Sequence, residues 1–307
     1  MISNPTRNIG TFAQSHLAAR LAHDYYRLPI TLQKANRVSR AWVGQMVRMW
    51  GEQSPQVRIR CYGEFADSSP NQLIPLSWIQ RAMSRPAREG DGSQPKLRIS
   101  VDVADGGLDE SVITAVRHYQ TFRRVEKVKR FSFPSSEAPI LTAEAAQRIF
   151  EGLGGIKGRD DMVVDSLGVG AGTAGYLMRN EQSVIAYKGG AGSSDSTKWK
   201  NCRAQSYMGL RDDFRDDCID FAADCFDSED DADEYQNQLC TIQKRPGDDR
   251  LEELVTKEDM KRNGIKSPDL ADSHAMQYAT QAPRLIPGSG HGPISTLVVH
   301  STALDGL

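Results

Sequence analysis

From residue 96 onward the sequence predicts an α/β fold, a mixed sheet flanked by helices, preceded by a mainly helical N-terminal segment. Three observations carry this. Strand-like runs at 97–104, 111–119 and 122–132 follow one another across short connections, the pattern of an antiparallel meander. A helix-like run at 142–153 then leads through strand-like 161–165 and helix-like 170–180 to strand-like 183–187, the order of a βαβ unit with parallel strands. Ahead of both, residues 84–95 are dense in Pro, Gly and charge, which marks a linker between the two parts.

The remaining elements follow from periodicity. Apolar side chains at three- and four-residue steps through 41–50 predict an amphipathic helix with Trp42 and Trp50 in the core. Residues 56–62 alternate as a strand does, and 74–83 predict a short helix. Beyond residue 187, a helix beginning near Lys200 carries Ala204, Met208 and Leu210, and the acidic run 227–234 reads as a solvated surface element. Short segments at 238–244 and 250–255 precede helices at 256–263 and 268–281. The glycine- and proline-containing tail from Ala282 is expected to be loosely ordered.

Composition excludes several classes. With 39% hydrophobic and 25% charged residues, the 307-residue chain is neither disordered nor too short for a core. No apolar run approaches the ~18 residues of a membrane span, and the N-terminus lacks the apolar stretch of a signal peptide, so a cytoplasmic location is expected. Five sparse cysteines argue against a disulfide framework, and none has zinc-site spacing. The net charge of -2 hides an asymmetry: residues 1–95 carry 12 Lys and Arg against 6 Asp and Glu, leaving 26 against 34 for the rest. A basic front and an acidic back suit contact with a polyanion alongside acids kept for metal.

The acids at three places are the candidate site. Along 97–104, Leu97, Ile99, Val101 and Val103 share one face and put Asp102 on the other. Aspartate is disfavoured inside strands, so an acid between two valines calls for a reason. Asp165 closes the run Met162-Val163-Val164, where crevices open at the carboxyl ends of parallel strands. Ser267 and Pro268 read as N-cap and first helical residue, which puts Asp269 in the first turn and Asp272 one turn further on the same face. Three acids on separate elements, with no histidine or cysteine nearby, suit hard oxygen-seeking cations. Two such ions ~4 Å apart would activate a water and stabilise the leaving oxygen in a phosphodiester displacement.

Gly170-Ala171-Gly172-Thr173-Ala174-Gly175 matches a dinucleotide fingerprint, but Asp165 beside it would repel a pyrophosphate and the next strand ends in Lys188 rather than an acid. These glycines are expected to let a helix approach the sheet. No phosphate-loop motif occurs, so autonomous ATP hydrolysis is not expected.

The stretches Val101-Asp102-Val103-Ala104-Asp105-Gly106-Gly107-Leu108-Asp109-Glu110, Val164-Asp165-Ser166-Leu167-Gly168-Val169-Gly170 and Ile265-Lys266-Ser267-Pro268-Asp269-Leu270-Ala271-Asp272 resemble, in this order, three nuclease motifs. The family is the large terminase subunit of tailed bacteriophages, the motor that cuts and packages viral DNA. The match runs from about Gly63 to Ala279. It implies a ribonuclease H-like fold, with Asp102, Asp165 and Asp272 as catalytic metal ligands, Asp269 as a fourth candidate, and Mg²⁺ or Mn²⁺, two ions, as cofactor. Double-stranded DNA, a small terminase subunit and a portal protein are the implied partners, in the cytoplasm of a bacterial host. Residues 2–12 are similar to the end of the family's ATPase domain. On that resemblance 1–95 is a remnant of the ATPase domain with its linker, 96–282 the nuclease domain and 283–307 a flexible tail.

Basic residues placed to meet a DNA backbone are Arg124 and Lys127 on the third strand, with Arg123 and Lys129, then Lys188 and Lys198 flanking a glycine-rich loop, and Lys266 beside the third motif. The loop 189–196 is expected to adapt to a duplex. Two other functions compete with a packaging endonuclease: a catalytically idle module that docks in the packaging complex, and another ribonuclease H-like nuclease such as a resolvase. Cleavage by the purified chain separates the first, and a preference for branched DNA the second.

Overall fold

The computed structural model describes residues 11–17, 24–28, 30–32, 39–52, 57–65, 71–105, 110–245, 251–279 and 284–285. Its centre is a sheet of seven strands: β1 (Lys96–Asp102), β2 (Ser111–His118), β3 (Arg123–Phe131), β4 (Asp161–Asp165), β5 (Val184–Tyr187), β6 (Ile219–Phe221) and the two-residue β7 (Arg284–Leu285). Their spatial order is β6-β3-β2-β1-β4-β5-β7. The meander β1-β2-β3 is antiparallel, while β4 runs parallel to β1 and β5 parallel to β4. This is the ribonuclease H-like arrangement, and both expected connections, meander and βαβ, are present.

The helices, in chain order, are α1 (Thr11–Leu17), α2 (Arg40–Trp50), α3 (Leu76–Ser84), α4 (Ala138–Gly152), α5 (Gly170–Arg179), α6 (Cys202–Arg215), α7 (Glu229–Thr241), α8 (Lys257–Arg262) and α9 (Asp269–Ala275). One face of the sheet is largely apolar: Leu97, Ile99, Val101 and Ile113 pack with Ala143, Ala146 and Phe150 of α4 and Leu177 of α5, and a buried hydrogen bond between Thr142 and Ser111 lies among them. The opposite face packs Val112, Val116, Val125 and Val128 against α3, α6, α7 and α9, through Ile79, Tyr207, Leu210, Tyr235, Leu239 and Leu270. Strand alternation therefore sends the odd-numbered side chains of β1 to the first face and Ser100 and Asp102 to the second.

Several elements differ from the sequence reading. Residues 57–62 form a helical turn rather than a strand, with Arg58–Tyr62 in π geometry. The alternation of Val57, Ile59 and Cys61 hides an i, i+4 pair, and Val57 and Cys61 are the two that bury. Trp42 stands exposed on α2, where Met46 supplies the buried contact. The acidic run opens α7, capped by Ser228, whose hydroxyl accepts from the Asp231 N–H at 3.1 Å. Its first turn is solvated as expected, but Tyr235, Leu239 and Cys240 further along are buried. Strand β6 went unread. The tail holds β7, paired with β5, and otherwise lies outside the described residues. Residues 2–10, which carry most of the ATPase-like stretch, and 106–109 of the first motif also lie outside them.

The segment 84–95 is tied down. Arg85 and Arg88 both pair with the fully buried Asp220 of β6, at 2.9 and 2.7 Å, and Asp91 accepts from Thr121 and Ser93. Helix α3 ahead of it contributes Ile79 and Ala82 to the large core.

Candidate active site

The three predicted acids meet in one cleft of about 330 Å³. The register explains two of them. Val101 of β1 lies beside Val164 of β4, so Asp102 and Asp165, one residue beyond, end neighbouring parallel strands at the same level. Both valines belong to the apolar face, which turns both aspartates to the other. The third, Asp272, comes from α9, which lies across that second face. Ser100 Oγ donates to the Ser273 carbonyl at 2.5 Å, and Gln277 Nε2 donates to the Thr114 carbonyl at 2.8 Å. Small residues, Ala271, Ser273 and Ala275, let the helix sit this close. Helix α9 begins one residue later than expected, with Pro268 at its N-cap, and its orphan N–H groups at Leu270 and Ala271 are taken by Gln238 Oε1 of α7.

The glycine-rich stretch serves this geometry. A Cβ on Gly170 would stand 1.7 Å from the Asp165 carbonyl oxygen, so only glycine lets α5 begin directly behind the strand that carries Asp165. Two residues on, a Cβ on Gly172 would press on Pro139 of α4 at 3.3 Å. Gly170 is the expected close approach of helix to sheet, whereas Gly172 meets a neighbouring helix and Gly175 has open space where a Cβ would stand.

The acids are not electrostatically alike. Burial pushes Asp102 up to about 8; the Lys257 ammonium opposes this, and Asp272, Asp269 and Asp165 add to it. Burial also raises Asp165, against a hydrogen bond from the Leu167 N–H at 3.1 Å and the charge of Lys257. Asp272 goes the other way: burial is outweighed by Arg203, Lys257 and the Tyr207 hydroxyl, which hold it below the usual carboxylate range. Tyr207 donates to its Oδ1 at 2.6 Å and Arg203 Nε stands 3.2 Å from the same oxygen. Lys257 Nζ lies 2.7 Å from Oδ2. Asp269 adds to the field at Asp102 but does not line the cleft.

Arg203, Tyr207 and Lys257 were absent from the sequence-based site. The available signals were slight: Asn201, whose side chain caps α6 by accepting from the Ala204 N–H, fixes the helix that carries Arg203 and Tyr207, and Thr256 caps α8 beside Lys257.

The predicted basic residues divide. Lys188 directly follows β5, whose Tyr187 pairs with Asp165, and Lys266 precedes α9; both are exposed near the cleft end of the sheet. Lys198 pairs with Asp195 at 3.2 Å and lies over Trp199. Arg124 is level with Leu97 across the sheet, five residues before Asp102, or ~16 Å along the strand direction. Lys127 is level with Ile99. Both are engaged: Arg124 with Glu126 at 2.8 Å and Lys127 with Asp224 at 2.6 Å. Arg123 and Lys129 pair with Asp213 and Asp227. The loop 189–196 is fastened by bonds from the Cys202 N–H to Ala191, from Ser193 to Trp199 and from Ser194 to Gln205. Only its first two residues, Gly189 and Gly190, line the cleft.

Among the described residues, no group of three or more His, Cys, Asp or Glu side chains stands within reach of one metal ion. The donor chemistry nonetheless fits a hard divalent cation. Asp102, Asp165, Glu253, Glu258 and Asp272 line the cleft, and the buried Asp272 Oδ2 already faces a cation, the Lys257 ammonium at 2.7 Å. No helix among the described residues is long and apolar enough to cross a membrane.

No protein-family model matches the chain, and no curated protein does. Solved structures do. The nuclease domain of the large terminase subunit gp2 of bacterial virus Sf6, in a variant with manganese and beta-thujaplicinol, aligns at a TM-score of 0.55 and 21% identity. The alignment covers 68% of this chain and 99% of that one. A variant with calcium gives 0.54 and 22%, over 69% and 99%. The Sf6 nuclease domain itself gives 0.52 and 21%, over 68% and 99%. This likeness is one of architecture: the chain carries the ribonuclease H-like fold of the phage large terminase nuclease domain.

Proposed function

We propose that the chain is a metal-dependent endonuclease that cleaves double-stranded DNA during viral genome packaging, the nuclease part of a large terminase subunit. The observation that carries this reading is the meeting of Asp102, Asp165 and Asp272, from β1, β4 and α9, in one cleft. The shared fold with the Sf6 terminase nuclease domain supports it. The donor set suits Mg²⁺ or Mn²⁺, held by Asp102, Asp165 and Asp272, with Asp269 close enough to act on the charge of Asp102. Bound there, a pair of divalent ions would supply an activated water and stabilise the leaving oxygen of an in-line phosphodiester displacement.

The chain's own residues prepare that chemistry. Tyr207 and Arg203 keep Asp272 ionised and in place. Lys257, whose ammonium is held charged by Asp272 and Asp102 against its own burial, balances the acids of the cleft. Lys188 and Lys266 offer exposed charge for backbone phosphates at the cleft end of the sheet, and Lys198 stands beyond the loop wall. Arg124 and Lys127 would meet DNA only by releasing Glu126 and Asp224.

Residues 1–95 are assigned to the end of a motor domain with its linker, 96–282 to the nuclease and 283–307 to a tail. A small terminase subunit and a portal protein are the expected partners, in the host cytoplasm. The test is plasmid nicking in Mg²⁺ or Mn²⁺. Cleavage should vanish in Asp102→Asn and in Asp165→Asn, and nicking that persists in both variants would refute the assignment.

A further inference from the structure

Asp272 differs from the other two cleft acids in how its oxygens are occupied. A carboxylate offers about four acceptor directions, two on each oxygen. Oδ1 receives the Tyr207 hydroxyl at 2.6 Å and Arg203 Nε at 3.2 Å, which fills both of its directions. Oδ2 is buried and faces one group, the Lys257 ammonium at 2.7 Å, which a divalent cation arriving there would replace.

The two groups on Oδ1 are themselves fixed. Tyr207 is fully buried in α6, and its phenol is raised well above its ordinary value by burial and by the charge of Asp272, so it stays a donor. The Arg203 guanidinium lies 5.0 Å from the Tyr207 ring centroid, and its Nη1 reaches the Val255 carbonyl at 3.4 Å. The Arg203 backbone N–H donates to the Gly189 carbonyl at 2.9 Å, which joins this pair to the cleft wall. Turning the carboxylate would break two charge-assisted bonds in a dry setting, where each is strong.

We propose that Tyr207 and Arg203 are positioning residues that fix Asp272 so that a divalent cation meets Oδ2 alone, making this aspartate a single-oxygen ligand. The inference rests on the nuclease reading above. It assigns the two side chains a task beyond packing: without them both oxygens are free to turn, and the ligand loses its preset direction.

The test is a Mn²⁺ titration of the full chain without DNA, followed by the electron paramagnetic resonance signal of the free ion. Tyr207→Phe keeps the ring under Arg203 but releases one direction of Oδ1, and should weaken Mn²⁺ binding ~10-fold. Tyr235→Phe removes an equally buried hydroxyl, bonded to His274 away from the cleft, and should bind Mn²⁺ as the parent does. Parent-like affinity in Tyr207→Phe, or equal weakening in Tyr235→Phe, overturns the positioning role while leaving the nuclease reading intact. A parent chain that binds no Mn²⁺ overturns both. A Mn²⁺-bound crystal structure should show one Asp272 oxygen at ligand distance, and two would refute the proposal.

Discussion

The two faces of strand β1 are built on opposite principles. Under α4 and α5, Leu97, Ile99 and Val101 join one apolar cluster and are fully buried. Under α9, one residue away at each step, Arg98, Ser100 and Asp102 meet Gln277, Ser273 and the cleft. The apolar face contributes stability through area removed from water. On the other face Ser100 bonds to Ser273 and Gln277, while Asp102 faces the cleft. One strand therefore anchors the fold with its odd positions and builds the site with its even ones.

Truncating the apolar face should cost the most. Ile99→Ala removes a fully buried side chain between sheet and helices and should lower unfolding free energy by about 2–5 kcal/mol in chemical denaturation. A loss below about 1 kcal/mol would mean that this face is not the anchor. At the seam between the regions, Gly170→Ala forces a methyl group against the Asp165 carbonyl and should cost about 1–3 kcal/mol while reducing cleavage, because the strand end must move. Stability loss without any change in cleavage would separate helix packing from the site.

On the polar face, Gln277→Leu leaves the Thr114 carbonyl and the Ser100 hydroxyl without that donor. We expect a loss of about 1–3 kcal/mol, smaller than at Ile99, read by the same denaturation experiment. A neutral result would show that the Gln277 bonds add nothing to what already holds α9 on the sheet.

The smallest effect concerns Asp102. Its folded-state value of about 8 lies above the ordinary 3.8, so protonated Asp102 is the form the fold prefers. Its contribution is fully present below the ordinary value and is lost as pH rises through about 8. In chelator, the melting temperature should therefore fall by a few degrees between pH 6 and 9 in the parent, and this component should be absent in Asp102→Asn. Identical pH profiles for the two proteins would contradict the assigned environment.

The same contrast explains what the sequence made legible. Alternating apolar residues identified β1 and the meander, and the acid between Val101 and Val103 pointed to the cleft because it broke strand composition. Asp165 was visible at a strand end followed by glycines, one of which, Gly170, is the close approach they suggested. Strand β6 was hidden because only three residues pair, just beyond the left-handed Asp217. Helix α7 was hidden because its first turn is acidic and its buried residues come later. Arg203, Tyr207 and Lys257 could not be read as site residues, since an arginine, a tyrosine and a lysine on helices carry no local sign of the carboxylate that the fold will bring to them. For Arg124 and Lys127, charge was legible but its counterpart was not: Glu126 is two residues from one, while Asp224 is nearly a hundred from the other.

The fastening of residues 84–95 has a practical consequence for anyone dissecting this chain. Asp220 is fully shielded from water, and Arg85 and Arg88 are its counter-ions. A fragment trimmed to start at Lys96 would strip β6 of both cations, strand a carboxylate in the interior and remove α3 from the core. The smallest independently stable piece that carries the cleft should therefore start ahead of Leu76, some twenty residues before the first strand of the sheet.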